Sequence, residues 1–398
     1  MIIGVIAVIG IAFGALQNNP EPQGLDIINV GVMLPATGDL ASHGQDNSIA
    51  TELALVDFNE YLQEQDADWR MNLVIEDTQT DPIIALEKIQ SLNSKGIKLI
   101  LGTETSAELK NVKAYADSNS MLMISPSSTS PKLAVSDNIF RLVPDDTKQS
   151  RVIAESLALH NIQVVIPIYR GDVWGDGLYE ATKTSFESKG GIMDEGIRYN
   201  PEITVFSTES ALLSATLSEY QQNYSDENIA ILLIGFSEVV HFFNSANSYD
   251  NLHQVRWFGS DASSNDDAIT DDMIASSFAT DVQFITTQFS ASKNAKYEHV
   301  KDHVTKEIGS EPNNYAYSSY DSLWLVGLAI EKTGSTAADD ISQALPDITS
   351  EYTGALGTIK LNEFGDLAIS DYEMYTVIDG QWTLYGHYNS DTEEITIF

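Results

Sequence analysis

The residues best placed to do chemistry cluster between Gly102 and Pro131, in GTETSAELKNVKAYADSNSMLMISPSSTSP. Glu104 and Ser106 stand in a polar turn directly after the apolar run Ile97–Gly102. Ser127, Ser128 and Thr129 stand in a second polar turn, directly after the apolar run Met121–Ile124. Between the turns Leu109, Val112 and Ala116 recur at helical spacing, so a helix starts at the first turn. Hydroxyls and backbone N–H groups at the carboxyl ends of two strands, beside a helix N-terminus, suit the capture of a small anion such as a carboxylate. Nothing beside them is equipped to transform what they hold.

Enzyme signatures are missing elsewhere too. No G-x-G-x-x-G follows a strand, and there is neither a phosphate-binding lysine loop nor a G-x-S-x-G elbow. The turn GDVWGDG (Gly171–Gly177) has the wrong glycine spacing for a dinucleotide. His299 and His303 lie four apart, a spacing able to hold a metal on a helix, but the run EHVKDH is charged enough to read as a solvated face. With 58 Asp and Glu residues, pairing two as acid and base would be arbitrary. The expectation is a protein without catalytic residues, metal or cofactor.

The elements that position these turns alternate. From Ile27 onward, apolar runs (Ile28–Leu34, Met71–Asp77, Ile97–Gly102) are separated by segments whose apolar residues recur at helical spacing, such as Ile49, Leu53 and Val56. The rhythm restarts after Phe140–Ser150, with strands at Gln163–Tyr169, Ile229–Gly235 and Val255–Gly259 and a helix through Tyr320–Gly334. Strand-like GTIKL and YEMYTVI close the chain. This pattern predicts an α/β protein of two doubly wound, mostly parallel-sheet lobes. A length of 398 residues accommodates two such cores.

Composition narrows the partners. Lys and Arg total 21 against 58 acids, a formal charge of −37. Such a surface repels nucleic acid and anionic lipid. Without cysteine, disulfides, thiolate metal sites and a lipid-modified cysteine are excluded. Residues 1–16, MIIGVIAVIGIAFGAL, carry no charged side chain and precede a Pro/Gly/Asn-rich linker ending near residue 26. They read as a secretory signal or a membrane anchor, and predict an exported chain tethered to the outer face of a membrane.

The motifs VGVMLPATGDLASHG (Val30–Gly44), EDTQTDP, KGIKLILG, MLMISPSSTSP, VWGDGL, IGFSE, FGSDAS and the YDS helix, in this order and spacing, resemble the type 1 periplasmic binding proteins. More narrowly, they resemble the leucine/isoleucine/valine-binding receptors of ABC importers. The resemblance implies two lobes that close by a hinge, residues 27–147 with 287–355 and residues 148–286 with 356–398. It implies that Ser106 and Thr129 bind a ligand carboxylate, with backbone contacts from Ser127 and Ser128. Asp261 would receive an α-ammonium, and His43, Trp174 and Phe236 would wall the ligand. Phe236 lacks a hydroxyl that some relatives use, and Asp261 is shorter than the usual Glu. Glu104 replaces a commonly apolar residue. Turned inward it disfavours an aliphatic side chain and favours a cationic or amide ligand; turned to solvent it is a surface acid, the orientation preferred here.

The function expected is therefore an exported solute-binding protein that captures a small zwitterion, an amino acid, branched-chain ones included. It would deliver this ligand to ABC permease subunits. The alternatives are a sensory or cell-surface ectodomain, and a binder of amides, urea or cationic amines.

Overall fold

A computed structural model describes residues 26–368 and 370–398. The chain begins with β1 (Asp26–Leu34), α1 (Ala41–Glu64), β2 (Trp69–Asp77), α2 (Pro82–Ser94), β3 (Leu99–Gly102), α3 (Ser106–Ser118), β4 (Leu122–Ser125) and β5 (Ile139–Arg141). The strands form one parallel sheet in the order β2-β1-β3-β4-β5. Helices cover both faces, so strands such as Leu99–Leu101 and Leu122–Ile124 are buried throughout and read as unbroken apolar runs.

The chain then crosses to a second lobe. There it forms α4 (Asp146–Leu159), β6 (Val164–Arg170), α5 (Val173–Ser188), β7 (Ile192–Met193), β8 (Ile197–Tyr199), α6 (Ser207–Tyr220), β9 (Ile229–Ile234), α7 (Val239–Ala246), β10 (Arg256–Phe258), α8 (Asp267–Asp271), α9 (Met273–Asp281) and β11 (Ile285–Phe289). It returns to the first lobe as α10 (Ala295–Ile308), α11 (Tyr315–Thr333) and α12 (Ala338–Glu351), then a small hairpin of β12 (Thr353–Gly354) and β13 (Gly357–Thr358). Helix α11 packs on α1 closely enough that a Cβ on Gly327 would lie 2.3 Å from the Phe58 ring. Finally β14 (Tyr372–Ile378), β15 (Gln381–Asn389) and β16 (Glu394–Ile397) add antiparallel to β11 and complete a nine-stranded sheet.

This is the two-lobed, mostly parallel α/β fold that the alternation predicts. Two details differ. The expected return to the second lobe at residue 356 does not match the backbone. Arg141 N–H donates to the Gly365 carbonyl (3.0 Å) and Leu367 N–H donates to the Arg141 carbonyl (2.9 Å), keeping this stretch on the first lobe. The buried Arg141–Asp366 ion pair (2.6 Å) fastens it there. The strand expected at GTIKL is cut short because the chain turns tightly around Asp321. That carboxylate accepts the Ala355 and Leu356 N–H groups (both 2.8 Å) and the Tyr352 hydroxyl (2.9 Å). The expected signal or anchor, residues 1–16, lies outside the described residues; no described helix is long and apolar enough to cross a membrane.

Candidate functional site

The first turn is shaped by its ends. Strand β3 stops at Gly102, whose φ of +122° suits glycine, and a Cβ there would sit 2.2 Å from the Met33 carbonyl oxygen. Helix α3 is capped by Thr105: its hydroxyl oxygen accepts the Glu108 N–H (3.1 Å) while the Glu108 carboxylate accepts the Thr105 N–H (2.8 Å). Ser106 is thus not the cap. As the first helical residue it presents an N–H without an intrahelical partner, and its Oγ accepts the Ser130 N–H of the second turn (3.1 Å).

More bonds join the two turns. Ser127 Oγ donates to the Glu104 carbonyl (2.8 Å), and Ser125 Oγ donates to the Thr103 carbonyl (2.8 Å) while accepting the Ser128 N–H (3.1 Å). Behind them, the buried Arg141 guanidinium donates to the Ser128 and Ser130 carbonyls (3.0 and 2.8 Å) and to both Asp366 oxygens.

The second lobe supplies the facing wall. Asp172 caps α5 and sets Trp174 at its start. Trp174 stacks on Phe236 with centroids 4.8 Å apart, and the Arg170 guanidinium lies 4.3 Å from the Phe236 centroid. Asp261 follows β10 in a buried 3-10 turn. Its Oδ2 accepts the hydroxyl proton of Tyr315 from the first lobe, while Oδ1 has no hydrogen-bond partner among the described residues.

Between the walls lies a narrow crevice of about 20 Å³, room for one water-sized sphere. His43, Glu104, Ser106, Ser127 and Thr129 line it from the first lobe; Trp174, Phe236 and Asp261 line it from the second. Ser128 alone of the expected residues is absent from the lining: its N–H and carbonyl serve Ser125 and Arg141, and its hydroxyl faces the Thr103 carbonyl (3.5 Å). Sequence reasoning missed Leu40, Thr105, Ala262 and Tyr315 on the lining. It also missed Asp146, off the lining but buried at the start of α4, whose carboxylate oxygens both lack hydrogen-bond partners among the described residues. No pattern in the sequence separates Tyr315 from Tyr317, or Asp146 from Asp145.

The lobes touch around the cavity. Ser130 Oγ donates to the Val173 carbonyl (2.7 Å), Ser237 Oγ donates to the Asp39 carbonyl (2.8 Å), and Arg170 lies 3.5 Å from the Asp39 carboxylate.

The electrostatics are one-sided. Glu104 corrects an expectation: it is turned inward rather than to solvent, 3% exposed. Its Oε2 accepts from Asn47 Nδ2 (2.7 Å) and its Oε1 lies 4.0 Å from His43 Nδ1. Burial pushes the Glu104 carboxyl up to about 8 and the His43 imidazole down to about 4. Burial also raises Asp261, against the hydrogen bond from Tyr315; burial and then the neighbouring Asp261 charge push Asp146 well up. Among the described residues, no Lys or Arg lines the cavity. His299, away from the cavity, bonds Asp57 (2.8 Å). The arrangement can hold a molecule bearing both an anionic and a cationic group.

Residues 47–380 match the family described as receptor family ligand binding region. An uncharacterized protein of Methanocaldococcus jannaschii is 31% identical over 390 residues, covering 93% of this chain and 91% of the relative. A Leu/Ile/Val-binding protein homolog of Brucella melitensis is 24% identical over 361 residues, covering 89% and 92%. Among solved structures, a leucine-binding protein of Thermotoga maritima superposes with a TM-score of 0.77 at 20% identity, covering 92% of this chain and 99% of that one. The chain belongs to the receptor family ligand binding region and is a type 1 periplasmic binding protein.

Proposed function

We propose that this protein is the extracytoplasmic solute-binding component of an ABC importer and captures an amino acid by closure of its two lobes. One observation carries the reading: a hydroxyl-rich helix start on one lobe and a partnerless Asp261 oxygen on the other face the same buried cavity. The ligand carboxylate sits on Ser106, Thr129 and the first N–H groups of α3, which stabilise an anion without a formal cation. The α-ammonium sits on Asp261, where an ion needs a paired, hydrogen-bonded counter-charge. His43, Trp174 and Phe236 exclude water. Ser127 keeps the first turn in place through the Glu104 carbonyl. Export and tethering by residues 1–16, and docking to permease subunits, complete the proposal. No covalent step occurs.

A thermal-shift panel of amino acids, amides, urea and polyamines tests it. At 100 times Kd an amino acid adds about 2.7 kcal/mol of stability, read as a raised Tm. The absence of a shift with every amino acid contradicts the reading.

A further inference from the structure

The proposed carboxylate and α-ammonium contacts leave one group in the cavity unused. Glu104 faces the ligand space from the first lobe, next to His43 and Asn47 of α1. Among the described residues only Oε2 is hydrogen-bonded, and its partner, the Asn47 amide, is neutral. The nearest titratable base, His43, is buried and held neutral, and the arginines near the cleft are committed: Arg141 to Asp366, Arg170 to Glu238 and Asp172. A buried acid without a counter-charge is costly for a protein that binds an uncharged side chain.

We propose that Glu104 selects the ligand's side chain and that the ligand is a basic amino acid, whose α-ammonium meets Asp261 and whose side-chain cation meets Glu104. This rests on the amino-acid reading of the site and adds the substrate class. A leucine or valine side chain would leave Glu104 buried against hydrocarbon. A side-chain ammonium or guanidinium would form with it a charge-assisted hydrogen bond. The raised Glu104 carboxyl agrees, since it marks an acid desolvated without a counter-charge.

Titration calorimetry on the full chain with lysine, arginine, glutamine and leucine tests the inference, using wild type, Glu104→Gln, Glu104→Leu and Asp261→Asn. Lysine or arginine is expected to bind wild type at least about tenfold tighter than leucine and glutamine. Glu104→Gln should erase that margin while keeping the side-chain volume, and Glu104→Leu should reverse it in favour of leucine. Asp261→Asn should weaken every amino acid alike. Tighter leucine binding by wild type, glutamine equal to the cationic ligands, or unchanged lysine binding in both Glu104 variants overturns the inference while leaving the amino-acid reading intact. Loss of all amino-acid binding in wild type overturns both.

Discussion

The two walls of the cleft are finished to different degrees. On the first lobe, the hydroxyl turns are bonded to each other and to the chain behind them, through Ser106 to Ser130, Ser127 to Glu104, Ser125 to Thr103, and Arg141 to two carbonyls. On the second lobe, Asp261 Oδ1 on the lining and both Asp146 oxygens off it are buried without a hydrogen-bond partner among the described residues. A wall already bonded to itself gives up little order when a carboxylate arrives. A wall of desolvated acids stays under-satisfied until a cation or a proton reaches it. On the proposed reading, the closed wall sets where the ligand sits and the open wall makes holding it worthwhile.

Breaking the closed wall should cost the most. Arg141→Met strands Asp366 as a buried, uncompensated acid and frees the Ser128 and Ser130 carbonyls. A loss of about 3–5 kcal/mol in urea unfolding is expected, with partial recovery in Arg141→Met/Asp366→Leu. A loss below about 1 kcal/mol would mean that the turns hold themselves.

Glu104 is an exception on the first lobe, as are the unpartnered Asn47 Oδ1 and Glu108 Oε1 beside it, and pH exposes Glu104. Its folded carboxyl at about 8 lies above its ordinary value of 4.5, so the folded state keeps a proton that the unfolded chain releases. Its contribution is fully present below about pH 4.5 and is lost as pH rises through about 8. The Tm of Glu104→Gln minus that of wild type, each without ligand, should therefore climb across this window and level off above it. A flat difference would show that Glu104 is already balanced by charge.

Asp261→Asn sharpens the contrast from the open side. Removing one of two neighbouring buried acids relieves Asp146, while the Asn oxygen still accepts from Tyr315. Without ligand the variant should be as stable as wild type or more so at pH 7, yet the gain of about 2.7 kcal/mol with saturating amino acid should vanish. The smallest effect is Ser106→Ala. It removes the acceptor for the Ser130 N–H, costs about 1 kcal/mol without ligand, and weakens binding of any carboxylate. Full binding by this variant would remove Ser106 from the anion site.

Legibility in the sequence followed the same division. Strands such as Val164–Arg170 could be read because both faces are buried, and the turns because hydroxyls cluster just after them. The terminal strands β15 and β16 escaped notice because they form a half-exposed edge with little apolar patterning. The resemblance also pointed to Asp261 and Trp174, which line the cavity. It did not show that Glu104 turns inward or that Asp146 is buried. Burial of one acid among 58 is decided by the contacts of distant segments, α1 against β3 for one and β10 against α4 for the other. The late crossing between lobes was hidden for the same reason, since Arg141 and Asp366 are 225 residues apart.

The central claim is that a zwitterion is held at both ends across the cleft. Calorimetry with the amino acid giving the largest thermal shift, its decarboxylated amine and its des-amino acid tests this most directly. The account predicts that each analogue loses at least about a hundredfold in affinity, about 2.7 kcal/mol, because each leaves one wall unpaired. An analogue that binds as tightly as its parent would contradict it.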